Sequence, residues 1–210
     1  LVFHRFVGIQ SADLPYPIFV YLGLLPWTYF SVSVSHMMVS VVSKKGLLLR
    51  MAFPRIFLPV SAALSKLVDL LAAFVILFLL IEGYGVQFSS QMLWMIPLLG
   101  LTVLASLSIG LWFAALHTLY RDTGLIVPYL LRLAMFLTPV IYPVTSVPEK
   151  WQWMLHLNPL VGIIEGFRAA VLQTAMPLDD LLRSGIIIAI IGIAGLFFFR
   201  RMEYRFVDEV

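Results

Sequence analysis

Cysteine is absent from all 210 residues, which removes disulfides, thiolate metal sites and cysteine nucleophiles together. Charge is scarce as well: 12% of residues are Asp, Glu, Lys or Arg, about half the share usual in soluble domains. No Gly-x-x-x-x-Gly-Lys-Ser/Thr segment occurs anywhere, so the chain cannot bind and hydrolyse ATP by that route. His4, His36, His117 and His156 fall in different segments, and none has a second ligand at metal spacing on the same helix. These gaps exclude a soluble globular domain and give no support to a metalloenzyme or a nucleotide hydrolase.

What fills the chain instead is hydrocarbon. Hydrophobic residues make up 61% of it, and charge-free runs extend over 14–43 and 83–116. Each run exceeds the roughly 20 apolar residues that cross a bilayer as a helix. No short repeat or heptad accounts for the mean hydropathy of +1.00, so the expected class is all-α and polytopic. The breaks predict five full spans at 17–42, 57–81, 92–116, 124–142 and 181–199, and no linker divides the chain into domains.

Placing the charges orients these spans. The 43–56 loop carries Lys44, Lys45, Arg50 and Arg55 without an acid. With that loop in the cytoplasm, Arg121, Arg200, Arg201 and Arg205 are cytoplasmic too, and the carboxyl end is inside. The net charge of +3 is thereby explained by loop placement rather than by nucleic acid, and no nucleic-acid partner is expected. The segment between Pro143 and Asp180 lies outside, yet it is too apolar for a solvated loop. Two short amphipathic helices broken at Asn158-Pro159 fit it, the second re-entrant or interfacial, with Glu165 and Arg168 three apart and able to pair on its polar face.

Few side chains inside the spans can do chemistry. Lys66 and Asp69 stand three apart and can neutralise each other, or Asp69 can face a polar pathway. Arg132 falls midway along the 124–142 span, where a guanidinium needs protein or water; it lines a pathway or a subunit interface, or pairs with Asp69 or helix carbonyls. Thr28, Ser31 and Ser35 at helical spacing, with Ser33, His36 and Ser40 one step round, suit close helix packing or a lining for a hydroxylated substrate. Trp27, Tyr29 and Phe30 form an interfacial aromatic belt or stack on sugar rings. The Lys44–Arg55 loop serves topology, anionic lipid or a docking cytoplasmic partner, and its pattern suggests a short amphipathic helix ended by Pro54.

Seven segments together resemble a known family. They are Gly23-Leu24-Leu25-Pro26-Trp27-Thr28-Tyr29-Phe30-Ser31, Phe53-Pro54-Arg55 followed by Leu58-Pro59, Tyr120-Arg121-Asp122, Thr138-Pro139-Val140-Ile141-Tyr142-Pro143, Val147-Pro148-Glu149-Lys150-Trp151, Leu157-Asn158-Pro159-Leu160 and Glu165-Gly166-Phe167-Arg168. In this order they resemble the permease subunit of the ABC-2 type polysaccharide exporters, which move O-antigen, capsule or teichoic acid. The resemblance implies a six-span, type V exporter-like fold, a homodimer in the bacterial inner membrane and two ATP-binding subunits beneath it. It also implies that ATP and Mg are used by that partner, with no cofactor bound by this chain, and that the substrate is a lipid-linked polysaccharide.

On this resemblance, residues 1–8 are the end of a first span and the sequence is truncated at its amino end. Lys44, Lys45, Arg50, Phe53 and Arg55 correspond to the ATPase-coupling segment, and Tyr120, Arg121 and Asp122 to a second cytoplasmic turn. Residues 147–173, with Trp151, Asn158, Pro159, Glu165 and Arg168, match outer gate helices. Thr28, Tyr29, Phe30, Ser31 and Arg132 are the pathway-lining candidates. Arg132 departs from the neutral polar residue such as Gln that the resemblance leads one to expect, which hints at an anionic substrate. The alternatives are an ABC-2 permease for a drug or small lipid, a membrane-embedded glycan-processing enzyme, or a scaffold.

Overall fold

The computed structural model describes residues 15–44, 46 and 54–203. Within them the chain is helical, with turns and short 3-10 segments between helices. Helix α1 (Tyr16–Ser43) starts at Pro15 and Pro17, whose fixed φ suits a first turn where N–H groups have no acceptor anyway. It is the central helix: 61% of its most apolar window is buried, against 17% for the last helix. Around it pack α2 (Phe57–Ser65), α3 (Leu67–Gly83), α4 (Met95–Leu119), α5 (Thr123–Leu137) and α7 (Pro159–Leu172). The last helix, α8 (Leu178–Glu203), lies against α4 and α7 on the far side.

Helices α2 and α3 form one span with a break at Lys66, whose N–H bonds back to Ala63 O at 3.1 Å. The carboxyl end of α3 closes with Gly85 at φ +71°. Val86 N–H reaches Ile81 O and Gly85 N–H reaches Glu82 O, both at 3.0 Å. This left-handed cap satisfies the last carbonyls, and glycine adopts its backbone without steric cost.

Close helix contacts rest on glycine facing a large or polar neighbour. A Cβ on Gly110 would meet Met37 Sδ at 2.3 Å, and one on Gly195 would meet Trp112 at 2.8 Å. These pairings set a register in which α1, α4 and α8 run parallel, so Ser43, Leu119 and Glu203 end on the same side. Trp112 Nε1 seals the α4–α8 contact by donating to Ile191 O at 3.0 Å, and Ser108 Oγ donates to Ile188 O at 3.0 Å. Such hydrogen bonds hold helices together where apolar burial against lipid gives little drive.

Among the described residues four helical spans are long and apolar enough to cross a bilayer, Tyr16–Ser43, Phe57–Gly83, Ser90–Leu119 and Leu178–Glu203. The expected span at 124–142 is shorter: its helix ends at Leu137 after 15 residues, about 22 Å at 1.5 Å per residue. The cause is Pro139. Thr138, directly before it, is extended at φ −96° and ψ 136°, because the proline ring disfavours helical backbone in the preceding residue. Beyond it, α6 (Glu149–His156) and α7 meet at a 100° bend, where Asn158 caps α7 by accepting from Leu160 N–H at 3.0 Å and Pro159 takes its first turn. The predicted remnant at 1–8 lies outside the described residues.

Gly162 lets α7 touch α8: a Cβ there would lie 2.5 Å from both Asp180 O and Ser184 Oγ. Gly162→Leu is therefore expected to lower stability by about 1–3 kcal/mol through overpacking. Gly185→Ala, with nothing within 4 Å of the new Cβ, should leave stability unchanged or slightly raised. Thermal unfolding of the purified variants in detergent checks both. Equal melting temperatures would contradict this packing.

Candidate functional site

Two features stand out, a groove at mid-span that gathers several polar side chains and a knot of side chains nearer the start of α1. The groove lies between α1 and α5 and encloses about 420 Å³. Thr28, Ser31, Ser35 and His36 line it from α1, and Pro128, Leu131, Arg132 and Met135 from α5. Helical spacing explains the α1 contribution, since residues three and four apart share a face. Thr28, His36 and Arg132 are exposed, while Ser31 and Ser35 are half-buried. Both serines spend their hydroxyl hydrogen on their own helix, Ser31 Oγ on Thr28 O and Ser35 Oγ on Ser31 O. Their oxygens keep acceptor capacity toward the groove.

Arg132 has no carboxylate within ion-pair distance among the described residues. Its guanidinium lies 5.7 Å from the Tyr129 ring centroid, which steadies a cation without neutralising it. Asp69 does not reach Arg132: it pairs with Lys66 at 3.2 Å. That pair borders a second groove of about 350 Å³ between α1 and α3, where Tyr21, Leu24, Thr28 and Tyr29 also lie. The Leu24, Thr28 and Val32 ridge of α1 thus separates two open grooves with a charge beside each.

The lining candidates divide. Thr28, Ser31 and Arg132 border the same groove. Tyr29 is buried, with its hydroxyl donating to Ala63 O at 3.1 Å, so it ties α1 to α2 and only borders the second groove. Phe30 is buried in the core beside Trp27, with ring centroids 5.7 Å apart. It lines neither groove, which corrects that assignment. The face of a helix, not the aromatic character of a residue, decides access.

The knot is built on the broken backbone after α5. Thr138 and Val140 are fully buried, so their polar groups need partners within the protein. Arg168 on α7 supplies one: its Nη2 donates to Val140 O at 2.8 Å and its Nη1 to Glu165 Oε1 at 2.8 Å. The guanidinium also stacks 3.7 Å over the Phe19 ring of α1. Asn158 supplies the other, its Nδ2 donating to Thr138 Oγ1 at 2.8 Å while that hydroxyl donates to Ala134 O. A Cβ on Gly23 would sit 2.4 Å from Val140 O and 3.1 Å from Arg168 Nη2. Glycine is needed there for this approach.

The Glu165–Arg168 pair therefore exists, but not on a polar face. Arg168 is only 2% exposed, and its role is to hold α1, α7 and the 138–140 turn together. Trp151 stands apart on α6, exposed, with Lys150 Nζ 5.6 Å from its ring. The signals for the knot were present as an Asn-Pro cap, a Pro-ended helix and a glycine in a span. Their meeting point depends on the tertiary fold.

At the opposite end, Lys44 caps α1, and Tyr120, Arg121 and Asp122 form the exposed turn between α4 and α5. Arg55 is half-buried: Glu203 Oε1 accepts from its backbone N–H at 3.0 Å, and its Nη1 donates to Glu203 O. Arg55 thus joins the start of α2 to the end of α8 instead of projecting freely. Lys45, Arg50 and Phe53 lie outside the described residues. Among the described residues no three or more His, Asp or Glu side chains gather as a metal site.

A central helix flanked by open grooves, a bent helix pair at one end and a basic opposite end describe a helical membrane protein. Comparison with known proteins gives the family. Residues 2–172 match the family model described as ABC-2 type transporter, and the chain belongs to that family. It is 26% identical over 205 residues to an O-antigen export system permease protein of Klebsiella pneumoniae, covering 95% of this chain and 78% of the relative. A protein of the same name from Myxococcus xanthus is 30% identical over 176 residues, 82% of this chain and 67% of the relative. A polysialic acid transport protein of Escherichia coli is 27% identical over 162 residues, 76% of this chain and 62% of that protein.

Removing the Arg168 side chain leaves the buried Val140 carbonyl without its donor and the half-buried Glu165 carboxylate without its partner. Arg168→Met is expected to cost about 1–3 kcal/mol and to lower recovery of monodisperse protein. Arg168→Lys should rescue only in part, since one ammonium cannot reproduce a planar fork that serves two acceptors. Full recovery and an unchanged melting temperature for either variant would contradict the knot.

Proposed function

We propose that this chain is the permease subunit of an ATP-driven exporter that moves a lipid-linked polysaccharide outward across the bacterial inner membrane. The observation that carries the reading is the convergence of Thr28, Ser31, Ser35, His36 and Arg132 on one open groove at mid-span. Polar groups exposed at that depth require water or a polar ligand, and hydroxyls with an unpaired cation suit a hydrated sugar chain bearing anionic groups. The relatives named for O-antigen and polysialic acid transport favour this substrate class over a drug or a small lipid.

In this reading two copies of the chain face each other across the grooves, and two ATP-binding subunits lie beneath them. Lys44, Lys45, Arg50, Phe53 and Arg55, with the Tyr120, Arg121 and Asp122 turn, form the surface that meets those subunits, with ATP and Mg on the partner. The basic end, which gathers Lys44, Arg55, Arg121, Arg200 and Arg201, is cytoplasmic by the positive-inside bias. The Arg55–Glu203 contact then links the docking segment to the last span, so a push from the ATPase reaches α8 as well as α2. The bent α6–α7 pair closes the outer end and moves to let the glycan leave. No side chain of the pathway makes or breaks bonds, and each binds sugar weakly enough to release it.

Reconstitution with the partner ATPase in proteoliposomes tests the proposal. ATP hydrolysis should be stimulated by a polyprenyl-diphosphate-linked glycan and be indifferent to small amphiphilic dyes. Arg132→Gln should keep the complex assembled and lower glycan export several-fold. Stimulation by dyes alone favours the small-molecule permease, and full export by Arg132→Gln would remove that residue from the pathway.

A further inference from the structure

A groove of about 430 Å³ separates the outer helix α6 from the start of α8. Trp153, His156 and Leu157 line it from α6, and Arg183, Ile186 and Ile187 from α8. Its chemistry is layered. Arg183 stands five residues into α8, about 7.5 Å along the axis, and Ile186 and Ile187 lie one turn deeper. Trp153, on the α6 wall of the same groove, is exposed, and an indole prefers the boundary between headgroups and hydrocarbon. Below it the exposed stripe of Ile186, Ile190 and Ile193 continues down α8 without a polar residue on its face.

Arg183 has spare capacity for an anion. Its side chain is 59% exposed, and its ion-pair partner among the described residues is Asp180 Oδ1 at 3.7 Å. That same oxygen lies closer to His156 Nδ1, at 3.0 Å. The carboxylate is therefore shared between His156 and Arg183, and one oxygen at 3.7 Å leaves most of the five guanidinium N–H donors without a protein acceptor among the described residues.

We propose that this groove holds one anionic phospholipid, its phosphate on Arg183 beside Trp153 and an acyl chain along Leu157, Ile186 and Ile187. The match is of charge and depth: a guanidinium pairs with phosphate by charge-assisted hydrogen bonds, and the apolar floor begins one turn below it. The acids nearest Arg183 on α8 are Asp179, exposed one turn before it, and Asp180, and the lipid phosphate meets the guanidinium from the groove side. The lipid clamps α6 against α8, a junction that the His156–Asp180 pair otherwise holds. The orientation proposed above makes this the outer leaflet; the site itself does not depend on which substrate is exported.

Native mass spectrometry of the purified permease, exchanged into phosphatidylglycerol or phosphatidylcholine, tests it. The parent should retain one phosphatidylglycerol through detergent washing and retain phosphatidylcholine several-fold less. Arg183→Gln and Trp153→Ala should each lose that lipid several-fold, while Arg200→Gln at the other end of α8 keeps it. Retention by Arg183→Gln, or equal loss in Arg200→Gln, would overturn the site. Disulfide formation between two copies carrying Trp153→Cys would overturn it too, by giving the groove to a second subunit.

Discussion

The fold depends on a rule that water does not relax inside a bilayer: a broken helix must find hydrogen-bond partners within the protein. Pro139 ends α5 early: Thr138 N–H still bonds to Ala134 O, but the buried Val140 carbonyl is left without a helical donor. Arg168 and Asn158 answer from the re-entrant pair, and Gly23 makes room for them on α1. The short fifth helix and the bent outer helices are therefore one construction. Neither half is stable at that depth without the other.

This construction also fixes where the polar groove ends. The knot touches α1 at Phe19 and Gly23, just before the groove lining begins at Leu24. Elsewhere the exposed surface is hydrocarbon: Val68, Leu71, Val75 and Leu79 on α3, and Leu182, Ile186, Ile190 and Ile193 on α8. A membrane protein shows lipid its apolar side chains and keeps the others for water, substrate or a partner. Arg132, with an aromatic neighbour and no acid within ion-pair distance among the described residues, is the exposed charge on which the proposed pathway most depends.

Much of this was legible in the residues. Charge-free length located the spans, and basic loops gathered at one end. The Asn-Pro pair announced the bend, and spacing of three brought Lys66 to Asp69 and Arg168 to Glu165. Two things were hidden. Phe30 and Tyr29 look like Thr28 and Ser31 in sequence, but a rotation of 100° per residue turns them inward, and only packing against α2 and α4 shows which face wins. Arg168 looked like an exposed partner of Glu165 because its second acceptor, Val140 O, lies 28 residues away. A backbone carbonyl carries no sequence signal.

The central claim is that α1 and α5 present a wet face while α3 and α8 present lipid faces. The chain has no cysteine, so single thiols can be introduced without a background. Thr28→Cys and Ser31→Cys should react rapidly with a water-soluble maleimide in the assembled, membrane-embedded complex, and Val75→Cys and Ile190→Cys should stay unlabelled. Labelling of all four at one rate, or protection of Thr28→Cys with reaction at Ile190→Cys, would contradict the account.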